Sequence, residues 1–317
     1  MSNRAAAAVL TATMVTGLTA LAAPAANAAS VCAGAGQPTT VAASVPGAAF
    51  EGLTVDAQGR AYTTDLVTGR VYRFDVPGAA PVVVATVPSG GAGGLAWTPQ
   101  GRLLVGYGAD SRVALGDTLR QAGIVQVDPA TGAVTPFAGG LSAADGLAVA
   151  DDGTVYATND FGDLVGRVSP NGATQADWAH FPSANGAVLG SDDTYLYVSR
   201  TFVDPGVTRI PLADPGAPQS LLNLSGVDAL AAPDGLTLDS RDRPVVPFNP
   251  SGTIVRIDSP GAYCVLGSGA PLTSVVSYGR GGAGFSAGRL FAATFAGLVY
   301  EVPGGFDPAA SAAAPGR

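Results

Sequence analysis

The sequence predicts an all-β protein, a six-bladed β-propeller with about four antiparallel strands per blade. A short template recurs six times: x-G-L, a few apolar or small residues, a turn, then an apolar triplet ending in a small or polar residue. Its starts fall at residues 51, 93, 145, 185, 234 and 273, with gaps of 42, 52, 40, 49 and 39. Turn sequences such as "DAQG", "TPQG" and "DDG" sit where hairpins need them, and no stretch keeps a helical period.

The elements follow in chain order. "MSNRAAAAVLTATMVTGLTALAAPAANA" holds one basic residue, Arg4, then a run of small apolar residues, then Ala26-Asn27-Ala28. This pattern predicts a Sec-type signal peptide over 1–28, cleaved near Ala28, and an extracellular mature protein. No later apolar run is long enough to span a bilayer. A single propeller domain is expected over 29–305, with "TTVAASVPG" as an outer strand that completes the sixth blade. Residues 306–317 are expected to form a low-complexity, mobile tail.

Blade one opens with "EGLTVDAQGRAYTTD" from Glu51, and blade two with "GGLAWTPQGRLLVGY" from Gly93. The long gap after Gly93 holds "GADSRVALGDTLRQAG", which reads as a loop. Blade three opens with "DGLAVADDGTVYATND" from Asp145, and blade four with "NGAVLGSDDTYLYVSR" from Asn185. Blade five starts with "DGLTLDSRDRPVVPF" at Asp234. Blade six is the weaker copy "TSVVSYGRGGAGFSAGRLFAATF" at Thr273, which has a longer turn. In a blade the innermost strand runs along the central channel. All six starting residues are therefore expected to ring one mouth of it.

Composition narrows the chemistry. The formal net charge is −8, which disfavours nucleic acid and anionic membrane surfaces as partners. All 16 basic residues are Arg, so Schiff-base lysine chemistry and a Walker-type phosphate loop are excluded. His180 is the one histidine, which excludes a multi-histidine metal site. Cys32 and Cys264 are the two cysteines, and in an exported chain they read as one disulfide, stapling neighbouring blades. A lipidated Cys32 is the rival reading. It lacks the small residue expected just before the cysteine and would leave Cys264 alone.

Four of the six mouth positions carry carboxylate or amide oxygens: Glu51, Asp145, Asn185 and Asp234. Asp or Asn before Gly commonly forms a turn, so Asp145 or Asp234 alone says little. Glu51 is different. It is one of two glutamates among 24 acidic residues, and its side chain is too long for the tight turn bond. Three carboxylates meeting at one mouth repel one another unless a cation lies among them or one keeps a proton. Glu51 therefore reads as a metal ligand.

The stretches "FEGLTVD", "SANGAVLGSDDTYLYVSR" and "APDGLTLDSRDRPVV", in that order, resemble the senescence-marker-protein/gluconolactonase (regucalcin-like) family over roughly residues 41–303. The resemblance implies a six-bladed propeller holding one divalent cation, with Glu51, Asn185 and Asp234 as ligands. Ca²⁺ is the first expectation, with Zn²⁺ or Mn²⁺ as alternatives. It also implies a hydrolase of lactones or related esters. The cation polarises the carbonyl, and a carboxylate, Asp234 or Asp145, takes a proton from water. Many members carry "R-x-N-D" at the third blade to orient substrate. Here the stretch is "AADG", with Ala143 for the Arg and Asp145 for the Asn, which points to a less polar substrate or weakened catalysis.

Asp145, Asn159 and Arg200 are the candidate substrate-binding residues, with Tyr107 and Phe202 as pocket-shaping neighbours. His180 is a further candidate for the mouth, while Trp97 and Trp178 read as blade packing. The expected partner is a small lactone or ester, and the expected state is a monomer. Two readings compete with hydrolysis: a metal-stabilised, non-catalytic scaffold, and a lyase of the strictosidine-synthase type.

Overall fold

A computed structural model describes residues 30–311. The signal-peptide expectation, and the last residues of the tail, lie outside the described residues. Among the described residues no helix is long and apolar enough to cross a membrane.

Six four-stranded antiparallel sheets follow one another around a ring. After strand β1 (Thr40–Ser44), blade one holds β2 (Phe50–Val55), β3 (Ala61–Asp65), β4 (Arg70–Phe74) and β5 (Val82–Thr86). Blade two holds β6 (Ala92–Trp97), β7 (Leu103–Tyr107), β8 (Ala122–Val127) and β9 (Val134–Leu141). Blade three comprises β10 (Leu147–Val149), β11 (Val155–Ala157), β12 (Leu164–Val168) and β13 (Thr174–His180). Next come β14 (Ala184–Leu189), β15 (Tyr195–Arg200), β16 (Gly206–Pro211) and β17 (Gln219–Asn223) of blade four. In blade five, β18 (Thr237–Leu238) and β19 (Pro244–Phe248) precede β20 (Thr253–Ser259) and β21 (Ala262–Gly267). Blade six is β22 (Thr273–Tyr278), β23 (Leu290–Thr294) and β24 (Leu298–Glu301), with β1 as its outer strand. The ring thus closes as the sequence predicts, because a strand from one chain end pairs with the other and leaves no open edge.

The cores lie between blades. Phe50, Phe74, Phe285 and Phe291 fill one such layer without exposure, where blade six meets blade one. Trp97 stands edge-on to Tyr62 at 5.3 Å, and Trp178 to Tyr156 at 4.7 Å, so both tryptophans pack blades as expected. The Cys32–Cys264 disulfide is present across a sequence separation of 232. Val31 bridges in parallel to Val265 on β21, so the chain is tied to blade five before β1 joins blade six.

Two expectations change. The blade-two insertion is not a bare loop: it forms a 3₁₀ turn, Ser111–Leu115, then one helical turn, Gly116–Leu119. Asp110 caps it by accepting the Arg112 N–H, and three residues per turn is too short a run to leave a readable period. The fold also continues past 305. Ala310 is buried, its carbonyl accepts the Gly288 N–H, and Asp307 accepts from the Ser240 N–H and hydroxyl. A Phe-Asp-Pro turn docked on blades five and six explains this, because its backbone groups find partners there.

Candidate metal centre at the channel mouth

In blades one, two and four the x-G pair of the template sits in a β-bulge at the head of the innermost strand, and in blades three and five it lies just before that strand. In blade one, Phe50 pairs with Asp65 and Leu53 with Thr63, which leaves Glu51 and Gly52 together opposite Thr64. In blade four, Ala184 pairs with Arg200 and Ala187 with Val198, so Asn185 and Gly186 face Ser199. A bulge re-aims one side chain out of the strand's alternation. Here it frees the residue before Gly to face the mouth while the rest of the strand keeps its register.

The glycines are needed for the approach of the next blade. A Cβ on Gly146 would stand 2.4 Å from the Asn185 carbonyl oxygen, and one on Gly186 would stand 2.6 Å from the Gly235 Cα. Hydroxyls bridge the gap, Thr64 and Thr158 at the ends of second strands and Ser274 at the head of an innermost one. Thr64 accepts the Gly52 N–H at 2.8 Å and donates to the Gly93 carbonyl at 2.7 Å. Thr158 accepts the Gly146 N–H at 3.0 Å and donates to the Asn185 carbonyl. Ser274 donates to the Phe50 carbonyl at 2.7 Å and joins blade six to blade one. The mouth residues are therefore held to one another through backbone, not only through their own blades.

Glu51, Asp145, Asn185 and Asp234 are all buried there. Glu51, Asp145 and Asn185 line the head of an axial channel of about 110 Å³, whose walls below are apolar residues such as Leu95, Leu147 and Val188. Asp234 stands just behind. Its Oδ1 accepts the Gly235 N–H at 2.9 Å, and its Oδ2 accepts from Asn249 Nδ2 at 2.7 Å. The Asn185 amide lies close enough to act on the same carboxylate.

The electrostatics are those of anions crowded without a counter-charge. Burial first, then the charges of Asp145, Asp234 and Asp160, holds the Glu51 carboxyl well above its usual range. Burial and Asp234 push Asp145 up to about 7. Asp234 and Asp160 rise to about 8, again mainly through burial, with Asp160 acting on Asp234 and Asp145 on Asp160. Glu51 and Asp145 come within hydrogen-bonding reach, a bond that exists only while one of them keeps a proton. Otherwise Asp145 Oδ2 is buried without a hydrogen-bond partner. Buried charge in that state is costly and calls for a proton or a cation.

The donor set fits a divalent cation that prefers oxygen. Among the described residues no three His, Cys, Asp or Glu side chains are gathered at ligand spacing. A centre here thus rests on two carboxylates, Glu51 and Asp234, with the neutral Asn185 amide oxygen, a mix suited to a hard cation. The partnerless Asp145 Oδ2 beside it is the orphaned polar atom such an ion, or a water on it, would satisfy.

The other sequence candidates are placed elsewhere. Asn159 is fully buried and spoken for: its Nδ2 donates to the Val113 carbonyl and Ser142 Oγ, and its Oδ1 accepts the Phe161 N–H. It locks the blade-two insertion to blade three. Arg200 reaches outward across Gly206 to the Leu222 carbonyl and Asn223 Oδ1, away from the channel. Tyr107 lies over Gly123, where a Cβ would meet its hydroxyl. His180 is exposed at the end of outer strand β13. Each sits at a strand end on the mouth side, and strand-end position alone does not say whether a side chain turns in or out.

Sequence reasoning passed over Asp160, Asn249 and the bridging hydroxyls. Asp160, Asn249, Thr64 and Thr158 stand at or near the end of a second strand, as Asp65 does in blade one, whereas Ser274 heads an innermost strand. The second-strand ends "TND" and "FN" carry that signal in the repeats.

No family model matches this chain, and no curated protein matches it. Solved structures do. A gluconolactonase from Xanthomonas campestris matches at 21% identity and TM-score 0.67, over 83% of this chain and 89% of the other. A calcium-binding protein, regucalcin, from Agrobacterium tumefaciens matches at 19% identity and TM-score 0.63, over 83% and 92%. Virginiamycin B lyase from Staphylococcus aureus matches at 14% and 0.54, over 80% and 84%. With the ring of blades and its buried oxygens in view, the chain is a six-bladed β-propeller whose structural neighbours are gluconolactonase and regucalcin.

Proposed function

We propose that this protein is an exported hydrolase of lactones or related esters that works with one divalent cation at the channel mouth, Ca²⁺ first, with Zn²⁺ or Mn²⁺ as alternatives. The observation that carries the reading is the buried oxygen set itself: Glu51, Asn185 and Asp234 come from three different blades, and Asp145 stands beside them with one oxygen unsatisfied. Gluconolactonase and calcium-binding regucalcin among the structural neighbours support it.

When bound, the cation supplies a Lewis acid for the carbonyl oxygen. The residues divide the rest. Both oxygens of Asp234 already accept hydrogen bonds, which suits a fixed ligand. Asp145 is the better proton acceptor because its Oδ2 is free to take a proton from water. That water's oxygen adds to the carbonyl carbon and the ring C–O bond breaks. The departing alkoxide takes the proton from Asp145, and the product is a hydroxy acid. No Ser or Cys nucleophile is required.

The scaffold reading keeps some support from Asn159 and Arg200, two of the three expected substrate contacts, since both are engaged away from the mouth. The strictosidine-synthase-type reading has less, because Glu51 stands among Asp145, Asn185 and Asp234, a set that suits a metal site better than a lone catalytic glutamate.

Elemental analysis of the purified chain, beside pH-stat hydrolysis of a lactone panel with and without chelator, tests the proposal. Hydrolysis that chelation stops, and that Asp145→Asn abolishes with metal still bound, is the expected result. Metal bound with no turnover on any lactone would leave the scaffold. Metal binding undiminished in Glu51→Gln would end the ligand assignment.

A further inference from the structure

The mouth face carries an apolar collar that the chemistry above does not use. The innermost strands begin at the mouth, so the second-to-third-strand connections lie on that face as well. Phe161 on the blade-three connection and Phe202 on the blade-four connection are 56% and 54% exposed, yet their rings pack on each other at 4.6 Å between centroids. Val203 follows at 47% exposure, and Leu115 of the blade-two insertion is 62% exposed. The insertion is tied to the Phe161 connection, because Asp117 accepts from the Asp163 N–H and from Ser142 Oγ, and Asn159 holds the Val113 carbonyl. Leu115, Phe161, Phe202 and Val203 thus belong to three successive, linked connections. Large side chains left in water this way mark a surface meant to be covered.

The collar is joined to the candidate site by the chain itself. Phe161 directly follows Asp160, and its N–H is fixed by Asn159 Oδ1 at 2.9 Å. The Phe202 N–H is fixed by Ser183 Oγ at 2.8 Å, two residues before Asn185. Both rings are therefore held on rigid backbone beside the mouth. Charge narrows the occupant further. Glu51 and Asp145 line the mouth with Asp160 close enough to act on them, and Arg200, a candidate substrate-binding residue, points outward. One divalent cation is matched by Glu51 and Asp234 alone, so with Asp145 and Asp160 beside them no positive charge is left over for a substrate carboxylate. A neutral molecule does not need one.

Building on the hydrolase reading, we propose that Phe161 and Phe202, flanked by Leu115 and Val203, form a subsite for an alkyl chain, so that the substrate is a neutral lactone or ester with a chain of several methylenes. With aliphatic Leu115 and Val203 exposed on the same linked connections, the patch suits a chain that bends along it better than one flat ring.

The test uses the full mature chain with Ca²⁺ and a series of γ-butyrolactone, γ-octalactone and γ-dodecalactone. Partial burial of the chain predicts a gain of about tenfold or more in kcat/KM from the first to the last, since a fully buried methylene is worth about fourfold. In the double variant Phe161→Ser, Phe202→Ser the ratio of kcat/KM for γ-dodecalactone to that for γ-butyrolactone should fall toward one. A wild-type ratio near one, or a ratio unchanged in the variant, overturns the subsite. Calorimetric binding of the matching γ-lactams separates the two proposals. Binding that strengthens with chain length and is lost in the double variant, with no lactone turned over, keeps the subsite and removes the hydrolase. Turnover with no dependence on chain length does the reverse. Light scattering that shows a wild-type dimer split by the variant, or phosphatidylcholine vesicles bound only by the wild type, would make the collar an interface and overturn the inference.

Discussion

Asn249 Nδ2 donates to Asp234 Oδ2 at 2.7 Å, so a residue outside the expected ligand set holds the carboxylate that the metal reading depends on. The contact ties the end of β19 to the head of the blade-five inner strand and fixes which oxygen faces the mouth. Asn249→Leu keeps the volume and removes the donor. Ca²⁺ affinity is expected to fall by about 10–100-fold, the usual effect of losing an orienting partner of a ligand. Calorimetric titration measures it, and an unchanged Kd would mean that Asp234 needs no such partner.

Glu51→Gln should act in opposite directions with and without metal. In the metal-free protein it removes a buried ionisable carboxyl crowded by Asp145 and Asp234, so the thermal midpoint is expected to rise. With Ca²⁺ present the gain in midpoint seen for the wild type should largely vanish. A variant that still gains as much from Ca²⁺ as the wild type would place the ion elsewhere.

The same carboxyls give the metal-free protein a pH dependence. Folded, Asp145 holds its proton up to about pH 7, and Asp160 and Asp234 hold theirs up to about pH 8. In the unfolded chain an Asp loses its proton near about pH 4. Between these limits the folded state binds more protons, so stability falls as pH rises. Urea midpoints of chelated protein should be lower near pH 8 than near pH 5, with Ca²⁺ restoring the loss at the higher pH. Equal midpoints would contradict the crowding of charge at the mouth.

Thr158→Val tests the bridge between blades three and four. The hydroxyl accepts the Gly146 N–H and donates to the Asn185 carbonyl, and valine leaves both buried groups unsatisfied. A loss of about 2–6 kcal/mol is expected, from about 1–3 kcal/mol for each of the two stranded groups. Because Asn185 is held through this bridge, Ca²⁺ affinity should weaken together with stability. A change in stability with affinity untouched would separate the bridge from the site.

Replacing Cys32 and Cys264 by Ala should destabilise the ring by up to roughly 5 kcal/mol on a chain-entropy argument for so long a loop. The seam between blades five and six is where hydrogen exchange should speed up first, since the bond ties the N-terminal segment to β21 there.

Five of the six blade starts were legible because the x-G pair is a local device at the head of the inner strand. Its glycine lies against the next blade's backbone, and that need leaves a mark in those five copies, while blade six carries Thr273-Ser274 instead. Glu51 stood out for the same reason: a long carboxylate at a position where its counterparts are short Asp or Asn has no turn-forming purpose. Asn159 and Arg200 show where this kind of reading stops. Both occupy strand ends that face the mouth side, yet one is consumed by Val113, Ser142 and Phe161, and the other is drawn out to Leu222 and Asn223. Their partners lie on other strands, and nothing in the local pattern names them.

From sequence alone came the all-β class, the number of blades, the closing strand, the pairing of Cys32 with Cys264 and the four oxygen-bearing starts Glu51, Asp145, Asn185 and Asp234, each from a period, a count or a local backbone requirement. The family resemblance then singled out Glu51, Asn185 and Asp234 as ligands. Only the tertiary structure decided that Asp160 and Asn249 join those positions, that Asp145 keeps an unsatisfied oxygen, and that Phe161 meets Phe202 in the open. Those facts depend on which side chains from distant blades meet, and packing sets that after the strands have formed.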